Sequence, residues 1–182
     1  MYKRQIEKLA SIYDRVCVGG AIVNDFYKAK GLNVGASLVS EKGPSQEILN
    51  HPRIEIPFDI VAATENTSHV IAPEGVADDE KIVDAGPMTG KLWTGYIQEA
   101  QFVLMNGPLG MYERGFNAET ENLARALSTS KARAVVGGGD TIAALTRTHF
   151  DESRIYLSTG GGAMLQFLAE GTLPGLEALV DK

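Results

Sequence analysis

Three apolar segments in the second half of the chain each end in glycines and are followed by a helix-like pattern. They are the segments Phe102–Gly110, Ala134–Thr141 and Ile155–Ala163. Their continuous apolar runs are typical of parallel strands that have helices on both faces. The carboxyl ends of parallel strands meet at one edge of a sheet, so we expect the three glycine turns to lie together. The sequence therefore predicts an α/β fold: a three-layer, Rossmann-like, mostly parallel sheet with helices on both faces.

The rest of the chain predicts further strands and helices around this sheet. Ile6, Leu9 and Ile12 have near-helical spacing, which predicts an opening helix that ends before Asp14. The other predicted elements are a strand at Arg15–Val18, a helix from the Gly19–Gly20 turn to about Lys30, a strand at Arg53–Val61, a strand at Ser68–Ala72, and helices at Thr89–Ala100, after Asn117, at Thr141–Phe150 and at Ala163–Ala169, with Thr89 and Asn117 as N-caps. The strands between Ser37 and Val83 are predicted to form a β excursion at the edge of the sheet. With no linker in view, we expect one domain over residues 1–182.

Composition excludes several classes of function. The net charge is -6 and there is no basic run, so a nucleic-acid groove has no electrostatic support. The longest apolar runs are only strand-sized, which argues against a membrane span, and the first eight residues are not followed by an apolar signal region. The single cysteine, Cys17, fits a reducing cytoplasm and, within an apolar run, is predicted to be buried.

The grouped glycine turns indicate a site for a large anionic ligand. A glycine lets the backbone pass close to a ligand, and the helix that follows offers unpaired N–H groups and a partial positive charge. A nucleotide fits these features best. No lysine follows these glycines as in a P-loop, and the pattern Gly-x-Gly-x-x-Gly fails at both Gly137 and Gly160. The prediction therefore rests on the grouping, because each turn alone is weak evidence.

Side chains in the turns add candidate chemistry. Asp140 follows three glycines at a helix start, where it can hold Mg²⁺ on a nucleotide or act as an ordinary N-cap. Thr141 can donate its hydroxyl group to a phosphate. Glu113 can accept hydrogen bonds from ribose hydroxyls or lie in solvent as a surface acid. Ser158 and Thr159 can cap the following helix, a role compatible with holding a transferred phosphate.

The histidines predict no catalytic or metal site. His51, His69 and His149 are scattered over a turn, a strand and a helix end, without acids or cysteines at ligand spacing, so structural or surface roles are expected. The acidic run Asp78–Glu80 is predicted to be a solvated turn.

Several motifs in one order resemble the C-terminal half of phosphoglycerate kinase. The resemblance covers nearly the whole chain, from about Arg15 onward, and it is far more specific than any single glycine turn. The matching segments are Ile56–Asp59, Asp84–Thr89, Asn106–Glu113, Gly137–Thr141, Ser158–Ala163 and Leu173–Leu179.

The resemblance implies a role for each glycine turn. The family moves a phosphoryl group between 1,3-bisphosphoglycerate and ADP, and its C-terminal lobe is a Rossmann-like domain that binds the Mg-nucleotide. The implied nucleoside contacts are Gly19, Gly20, Asn106, Pro108, Gly110, Met111 and Glu113. The implied phosphate contacts are Gly138, Gly139 and Thr141, with Asp140 serving the Mg²⁺ ion. The implied catalytic residues are Gly160, Gly161 and Gly162, which would present helix N–H groups to the transferred phosphoryl group.

The chain also departs from the family. It has no counterpart of the N-terminal lobe, nor of the strand Gly-Gly-Ala-Lys whose lysine reaches the phosphates, and a run of three glycines is reduced to Gly19–Gly20. We therefore expect the nucleotide-binding lobe of a phosphoglycerate kinase that binds ADP or ATP with Mg²⁺ and is inactive by itself. The expected partner is the N-terminal lobe as a separate chain, with no nucleic acid and no membrane. A stand-alone nucleotide-binding module, half of a split enzyme and a folded remnant without a ligand are the alternatives.

Overall fold

The structure, a computed structural model that describes residues 2–180, alternates helices and strands along most of the chain. Short 3₁₀ turns occur at Pro73–Gly75 and Tyr112–Arg114. The elements in chain order are α1 (Tyr2–Ile12), β1 (Val16–Cys17), α2 (Ile22–Ala29), α3 (Gln46–Leu49), β2 (Ile54–Glu55), β3 (Ile60–Ala63), β4 (Ser68–Ile71), β5 (Lys81–Ala85), α4 (Pro87–Glu99), β6 (Phe102–Asn106), α5 (Ala118–Thr129), β7 (Arg133–Gly137), α6 (Gly139–Thr146), β8 (Ile155–Ser158), α7 (Gly161–Glu170) and α8 (Pro174–Val180).

The three glycine-ended segments form one parallel sheet in the order β6–β7–β8. Between these strands the chain crosses over through α5 and α6, as parallel pairing requires. The hydrophobic core around this sheet consists of apolar residues of the three strands and of α4, α5 and α6, among them Trp93, Leu127, Val136 and Leu145. The predicted α/β fold with parallel sheets and helices is confirmed.

The sheet is less continuous than predicted. β1 and β2 form a separate parallel pair, and β3 lies between β4 and β5 in an antiparallel sheet. The prediction of one strand at Arg53–Val61 is wrong, because the chain leaves β2 at Ile56–Pro57 and enters a different sheet as β3. Proline has no N–H to donate to a ladder, which is consistent with a break there. The predicted β excursion is present as the β3–β4–β5 sheet, but this sheet is separate from the parallel strands and does not extend their edge.

The N-terminus of α4 is capped from a distant part of the chain. The predicted N-cap, Thr89, lies inside the helix, whose N-cap position is Gly86. The carboxylate of Asp59 accepts hydrogen bonds from the N–H of Met88 at 2.9 Å and of Thr89 at 2.7 Å, and also from the Thr89 hydroxyl group. This buried carboxylate therefore satisfies helix donors that a local N-cap would otherwise bind.

Replacing Asp59 with alanine is expected to destabilise the fold by about 2 kcal/mol, the upper range for loss of a helix cap. The substitution leaves two N–H groups and one hydroxyl group without their acceptor. Urea unfolding measures the change. The matched control is Asp79→Ala in an exposed turn, and an equal loss for both variants would contradict the capping role.

Several single-residue predictions are also wrong. Cys17 is exposed, because nothing in the described structure pairs with β1 on its far side. Asn117 does occupy the N-cap position of α5, as predicted, but its side chain makes no capping hydrogen bond. Glu80 is buried: its carboxylate accepts a hydrogen bond from the N–H of Ala77 at 2.9 Å and lies 3.5 Å from His69. Glu80, the last residue of the predicted solvated turn, therefore has a structural role.

Helix coverage of the β6–β7–β8 sheet is incomplete. Phe102 in β6 is 44% exposed and Tyr156 in β8 is 68% exposed, although the apolar runs predicted burial on both faces. Both residues lie on the edge strands of this sheet, where fewer neighbours cover them. None of the helices described over residues 2–180 is long and apolar enough to cross a membrane.

Candidate functional site

Strand register places the three glycine turns side by side. Asn106 at the end of β6 is opposite Gly137 at the end of β7, and Gly137 is opposite Ser158 at the end of β8. Parallel strands that end level with one another carry their turns to the same edge of the sheet. The predicted grouping of these turns is therefore present in the structure.

Glycines at the centre of this edge permit close packing of the turns. A Cβ at Gly137 would lie 2.9 Å from the terminal methyl group of Met164 and 3.0 Å from the Cα of Gly161. A Cβ at Gly161 would lie 2.7 Å from the backbone nitrogen of Gly138 and would collide with the side-chain amide of Asn106. Such distances are too short for a carbon atom, so these glycines hold the three turns together around Asn106.

Other glycines on the same edge border open space. A Cβ at Gly139 or at Gly162 would meet no atom within 4 Å, and both residues are exposed. Gly139 is the first residue of α6, and Gly162 lies in the first turn of α7. The N–H groups of a first helical turn have no partner within the helix and carry a partial positive charge. This open part of the edge is suited to a ligand with anionic groups.

The turn before α6 also presents a buried hydroxyl group. Gly138 has φ of +89°, a conformation that a residue with a side chain rarely adopts. The Thr141 hydroxyl would lie 3.6 Å from a Cβ at Gly138, is fully buried, and has no hydrogen-bond partner among the described residues. A buried hydroxyl group without a partner is costly, so an acceptor that reached it would bind favourably.

The Gly19–Gly20 turn after β1 lies against the β6 turn. A Cβ at Gly20, where φ is +65°, would lie 2.8 Å from the carbonyl oxygen of Pro108. A Cβ at Gly19 would collide with the side chain of Leu109. The structure therefore brings Gly19, Gly20 and Pro108 together, as the predicted nucleoside contacts require.

The loop between β6 and α5 is held by buried polar contacts. The N–H of Leu109 donates to the Thr120 hydroxyl at 2.9 Å, and the N–H of Met111 donates to the carbonyl of Val83 at 2.8 Å. A Cβ at Gly110 would lie 2.6 Å from the carboxyl carbon of Asp84, so this glycine has a packing role. Met111 is half-buried and Glu113 is exposed on the 3₁₀ turn.

Two buried carboxyl groups lie beneath this loop. Asp84 accepts hydrogen bonds from the N–H groups of Ala85 at 2.9 Å and Glu119 at 3.4 Å, and the Glu119 side chain packs against Gly90. Burial raises the pKa of Asp84 to about 7, the Glu119 carboxylate adds to the rise, and the two N–H groups oppose it. Asp84 is therefore half-protonated near neutral pH in the folded protein.

Asp140 is the candidate metal ligand in these turns. It is exposed in the first turn of α6, one residue after the open Gly139, and the N-cap position belongs to Gly138. Over the described residues, no group of three or more His, Cys, Asp or Glu side chains could hold a metal ion. Mg²⁺ is usually bound through one or two carboxylates together with substrate phosphates, so a single aspartate fits an ion that arrives with a nucleotide.

The histidines lie outside the three turns. His51 accepts a hydrogen bond from the N–H of Arg53 at 3.2 Å, and His69 in β4 lies beside Glu80. His149 is exposed after α6. These positions agree with the predicted structural or surface roles.

The sequence did not lead us to three buried polar residues that lie next to the β6–α5 loop. Asp84, Glu119 and Thr120 are all buried, and each contacts the β6–α5 loop or its neighbours. Asp84 is the penultimate residue of β5, shortly before Gly86–Pro87, and an acid at the end of an apolar run was a usable signal for a buried carboxyl group. Nothing local distinguishes Glu119 and Thr120 from other residues in the first turn of an amphipathic helix.

Comparisons with known proteins converge on one family. A family model described as phosphoglycerate kinase matches residues 4–171. A phosphoglycerate kinase of Chlorobium phaeobacteroides is 41% identical over 191 residues, covering 97% of this chain and 48% of that protein. One from Baumannia cicadellinicola is 36% identical over 182 residues, covering 97% of this chain and 47% of that protein.

Solved structures agree with the sequence matches. The structure of phosphoglycerate kinase from Coxiella burnetii has a TM-score of 0.77 at 31% identity, over 98% of this chain and 49% of that one. The phosphoglycerate kinase from Pyrococcus horikoshii has a TM-score of 0.77 at 28% identity, over 97% of this chain and 48% of that one. This chain thus spans about half the length of the relatives it matches.

Proposed function

This chain belongs to the phosphoglycerate kinase family, and on that basis we propose that it is the family's nucleotide-binding lobe, one domain over residues 1–182. Its ligand is ADP or ATP with Mg²⁺. Together with the other half of the enzyme it transfers a phosphoryl group between 1,3-bisphosphoglycerate and ADP, a step of glycolysis in the cytoplasm. The chain alone binds nucleotide without turnover.

The observation that carries this proposal is the level alignment of the three glycine turns. Asn106, Gly137 and Ser158 are neighbours across the strands, so the open first turns of α6 and α7 lie at one edge of the sheet. Two helix N-termini beside each other suit a ligand with several phosphate groups. The composition supplies no basic groove that would favour a nucleic acid instead.

The site residues divide into three roles. The nucleoside lies along Gly19, Gly20 and the β6 turn residues Asn106, Pro108, Gly110, Met111 and Glu113. The phosphates lie at Gly138, Gly139 and the Thr141 hydroxyl, with Asp140 on the Mg²⁺ ion. The catalytic turn Gly160, Gly161 and Gly162 presents the N–H groups of α7 to the phosphoryl group.

Charge neutralisation is the chemistry that this lobe supplies. Mg²⁺, when bound with the nucleotide, neutralises charge on the phosphate oxygens. The N–H groups of α7 add fixed positive dipoles where charge develops on the transferred group. Because these donors are held by packed glycines such as Gly137 and Gly161, they need little reorganisation during the reaction.

Binding of Mg-ADP is expected to stabilise the chain against thermal unfolding. A ligand that binds only the folded state adds about 2.7 kcal/mol at 100 times its Kd. The midpoint should rise with ADP concentration when Mg²⁺ is present. In Asp140→Asn the rise should lose its Mg²⁺ dependence, because the variant removes the charge that holds the ion. Asp140 is exposed, so its loss should leave the ligand-free midpoint unchanged.

Asp151→Asn is the matched control, since Asp151 is an exposed aspartate that holds Ser153 and Arg154 in the turn before β8. It should keep the Mg²⁺ dependence of the shift. A midpoint that is insensitive to Mg-ADP over the whole concentration series would refute nucleotide binding and favour a folded remnant without a ligand.

A further inference from the structure

A side-chain hydrogen bond ties the β6 turn to the helix that follows it. The N–H of Leu109, in the middle of the turn, donates to the hydroxyl group of Thr120 at 2.9 Å. Thr120 is the third residue of α5 and is fully buried. Its side chain branches at Cβ, which restricts its rotation and so fixes the direction of the hydroxyl group. The turn is therefore tied to one defined point on α5.

Helix α5 gives this hydrogen bond a rigid point of attachment. The helix packs against α4 and α6, and it contributes Leu123 and Leu127 to the hydrophobic core around the sheet. Its N-terminus is held by Asp84, whose carboxyl group accepts a hydrogen bond from the N–H of Glu119 at 3.4 Å. A group on a packed helix holds its partner more precisely than a loop can. Thr120 is thus well placed to fix the position of the turn.

The same turn lies against the Gly19–Gly20 turn. The side chain of Leu109 leaves no room for a Cβ at Gly19, and a Cβ at Gly20 would lie 2.8 Å from the carbonyl oxygen of Pro108. In the proposed function these two turns are neighbouring sides of the nucleoside site. Leu109 therefore joins three parts of the fold, because its N–H is bound to Thr120 and its side chain packs on the Gly19–Gly20 turn.

The neighbouring N–H groups of the loop are held differently. Gly107 donates to the main-chain carbonyl of Gly137 at 3.2 Å, and Met111 donates to that of Val83 at 2.8 Å. Substitution of a side chain cannot remove a main-chain carbonyl group. Of these three acceptors, the Thr120 hydroxyl group is the one that a single side-chain change deletes.

We propose that Thr120 is a positioning residue for the nucleoside of ADP or ATP. Acting through Leu109, it fixes the separation of the β6 turn from the Gly19–Gly20 turn, although its own buried side chain does not touch the ligand. The inference rests on the proposed function. A buried N–H without an acceptor is unfavourable, so without the hydroxyl group the turn would move until this N–H met water. Binding would then have to restore the closed turn, which lowers affinity.

Two substitutions separate the hydroxyl group from the rest of the side chain. Thr120→Val keeps the shape and removes the acceptor, whereas Thr120→Ser keeps the hydroxyl group and removes a buried methyl group. Both variants should be less stable than the unmodified chain. In calorimetric titration, Thr120→Val should bind Mg-ADP about 10-fold more weakly or worse, and Thr120→Ser should stay within about 3-fold of the unmodified chain.

Inorganic pyrophosphate with Mg²⁺ is the second probe, because it carries phosphate groups without a nucleoside. Thr120→Val should leave its affinity within about 2-fold, whereas a general loss of structure would weaken both ligands alike. Thr129→Val is the matched control, since it makes the same change near the end of α5, where the hydroxyl group donates to the carbonyl groups of Arg125 and Ala126. It should leave the binding of both ligands unchanged.

Hydrogen exchange tests the same contact in the unmodified chain. If the nucleotide binds only when the turn is closed, Mg-ADP at 100 times its Kd should slow exchange of the Leu109 amide by about 100-fold. The amide of Thr64 donates to the carbonyl of Thr67 in the hairpin between β3 and β4. It exchanges through local opening of the hairpin, so its rate should change by less than about 2-fold.

Each outcome decides the question. Equal losses of affinity in the valine and serine variants, or an unchanged affinity in Thr120→Val, would overturn the positioning role and leave the nucleotide site in place. Equal weakening of ADP and pyrophosphate would make Thr120 a purely structural residue and overturn it too. If Thr120→Val unfolds, or pyrophosphate binds too weakly to measure, Thr120→Ser and the exchange rate of the Leu109 amide decide. An unmodified chain that binds no Mg-ADP would refute the proposed function itself, and the positioning role with it.

Discussion

Replacing Asp84 with asparagine is expected to flatten the pH dependence of the free energy of unfolding between pH 4 and pH 8. Burial raises the pKa of Asp84 from its usual 3.8 to about 7 in the folded protein. The folded state therefore keeps a proton that the unfolded chain releases. Its contribution to stability is fully present below about pH 4 and is lost as pH rises through about 7.

The expected size of this effect is large for a single group. A pKa difference between folded and unfolded states is worth about 1.4 kcal/mol per unit, so this shift corresponds to about 4 kcal/mol. Asp84 is 4% exposed, so solvent screens it little. Asparagine has no charge to lose, and the variant should gain stability relative to the unmodified chain as pH rises from 5 to 8.

Urea unfolding at a series of pH values measures this slope, and carbon NMR of the Asp84 carboxyl group measures the pKa directly. Asp79→Asn is the control, because it makes the same chemical change in an exposed turn. An Asp84→Asn variant with the slope of the unmodified chain would show that another group titrates.

Local patterns were enough to predict the parallel half of the fold. β6, β7 and β8 are short apolar runs followed by glycine and a helix, so each strand and its helix carry their own signal. Their adjacency followed from the general rule that carboxyl ends of parallel strands meet at one edge. Exposure on the edge strands differed from the prediction, as at Tyr156, because the order of the strands in the sheet decides which strands lack a neighbour on one side.

Contacts between distant parts of the chain could not be predicted in the same way. Asp59 caps a helix that begins 28 residues later at Pro87, which no local capping pattern reveals. The segment Arg53–Val61 alternates as one strand, yet it is divided between two sheets, because β2 pairs with β1 whereas β3 pairs with β4 and β5. Cys17 is apolar in sequence context and exposed in the fold because its strand lies at an edge. In each case the outcome depends on a partner far away in sequence.

The candidate site depends both on local sequence patterns and on contacts between distant parts of the chain. Its glycines were visible in the sequence, but their division into packed and open positions depends on how the turns meet. Gly161 and Gly162 are neighbours of the same type in the same helix turn, and only the structure distinguishes them. This difference provides the sharpest test of the site.

Replacing Gly161 with alanine is expected to destabilise the fold by about 3 kcal/mol, the upper range for overpacking a core. Its Cβ would lie 2.7 Å from the Gly138 nitrogen and would collide with Asn106, so the three turns would have to separate. Nucleotide binding should fall with the disrupted turns. Urea unfolding and calorimetric titration with Mg-ADP measure the two effects.

Gly162→Ala should show the opposite pattern. No atom lies within 4 Å of its new Cβ, and alanine is favoured over glycine in a helix by up to about 1 kcal/mol, so stability should be kept or slightly raised. If the transferable phosphoryl group reaches the first turn of α7, the added methyl group occupies its space, and affinity for Mg-ATP should fall at least 10-fold. Unchanged affinity in a stable Gly162→Ala variant would mean that the nucleotide does not reach α7. Equal stability of the two variants would mean that the turns are not packed as described. Because the two substitutions add the same methyl group one residue apart, a difference between them can only come from the surroundings of that group, which is what the proposed site requires.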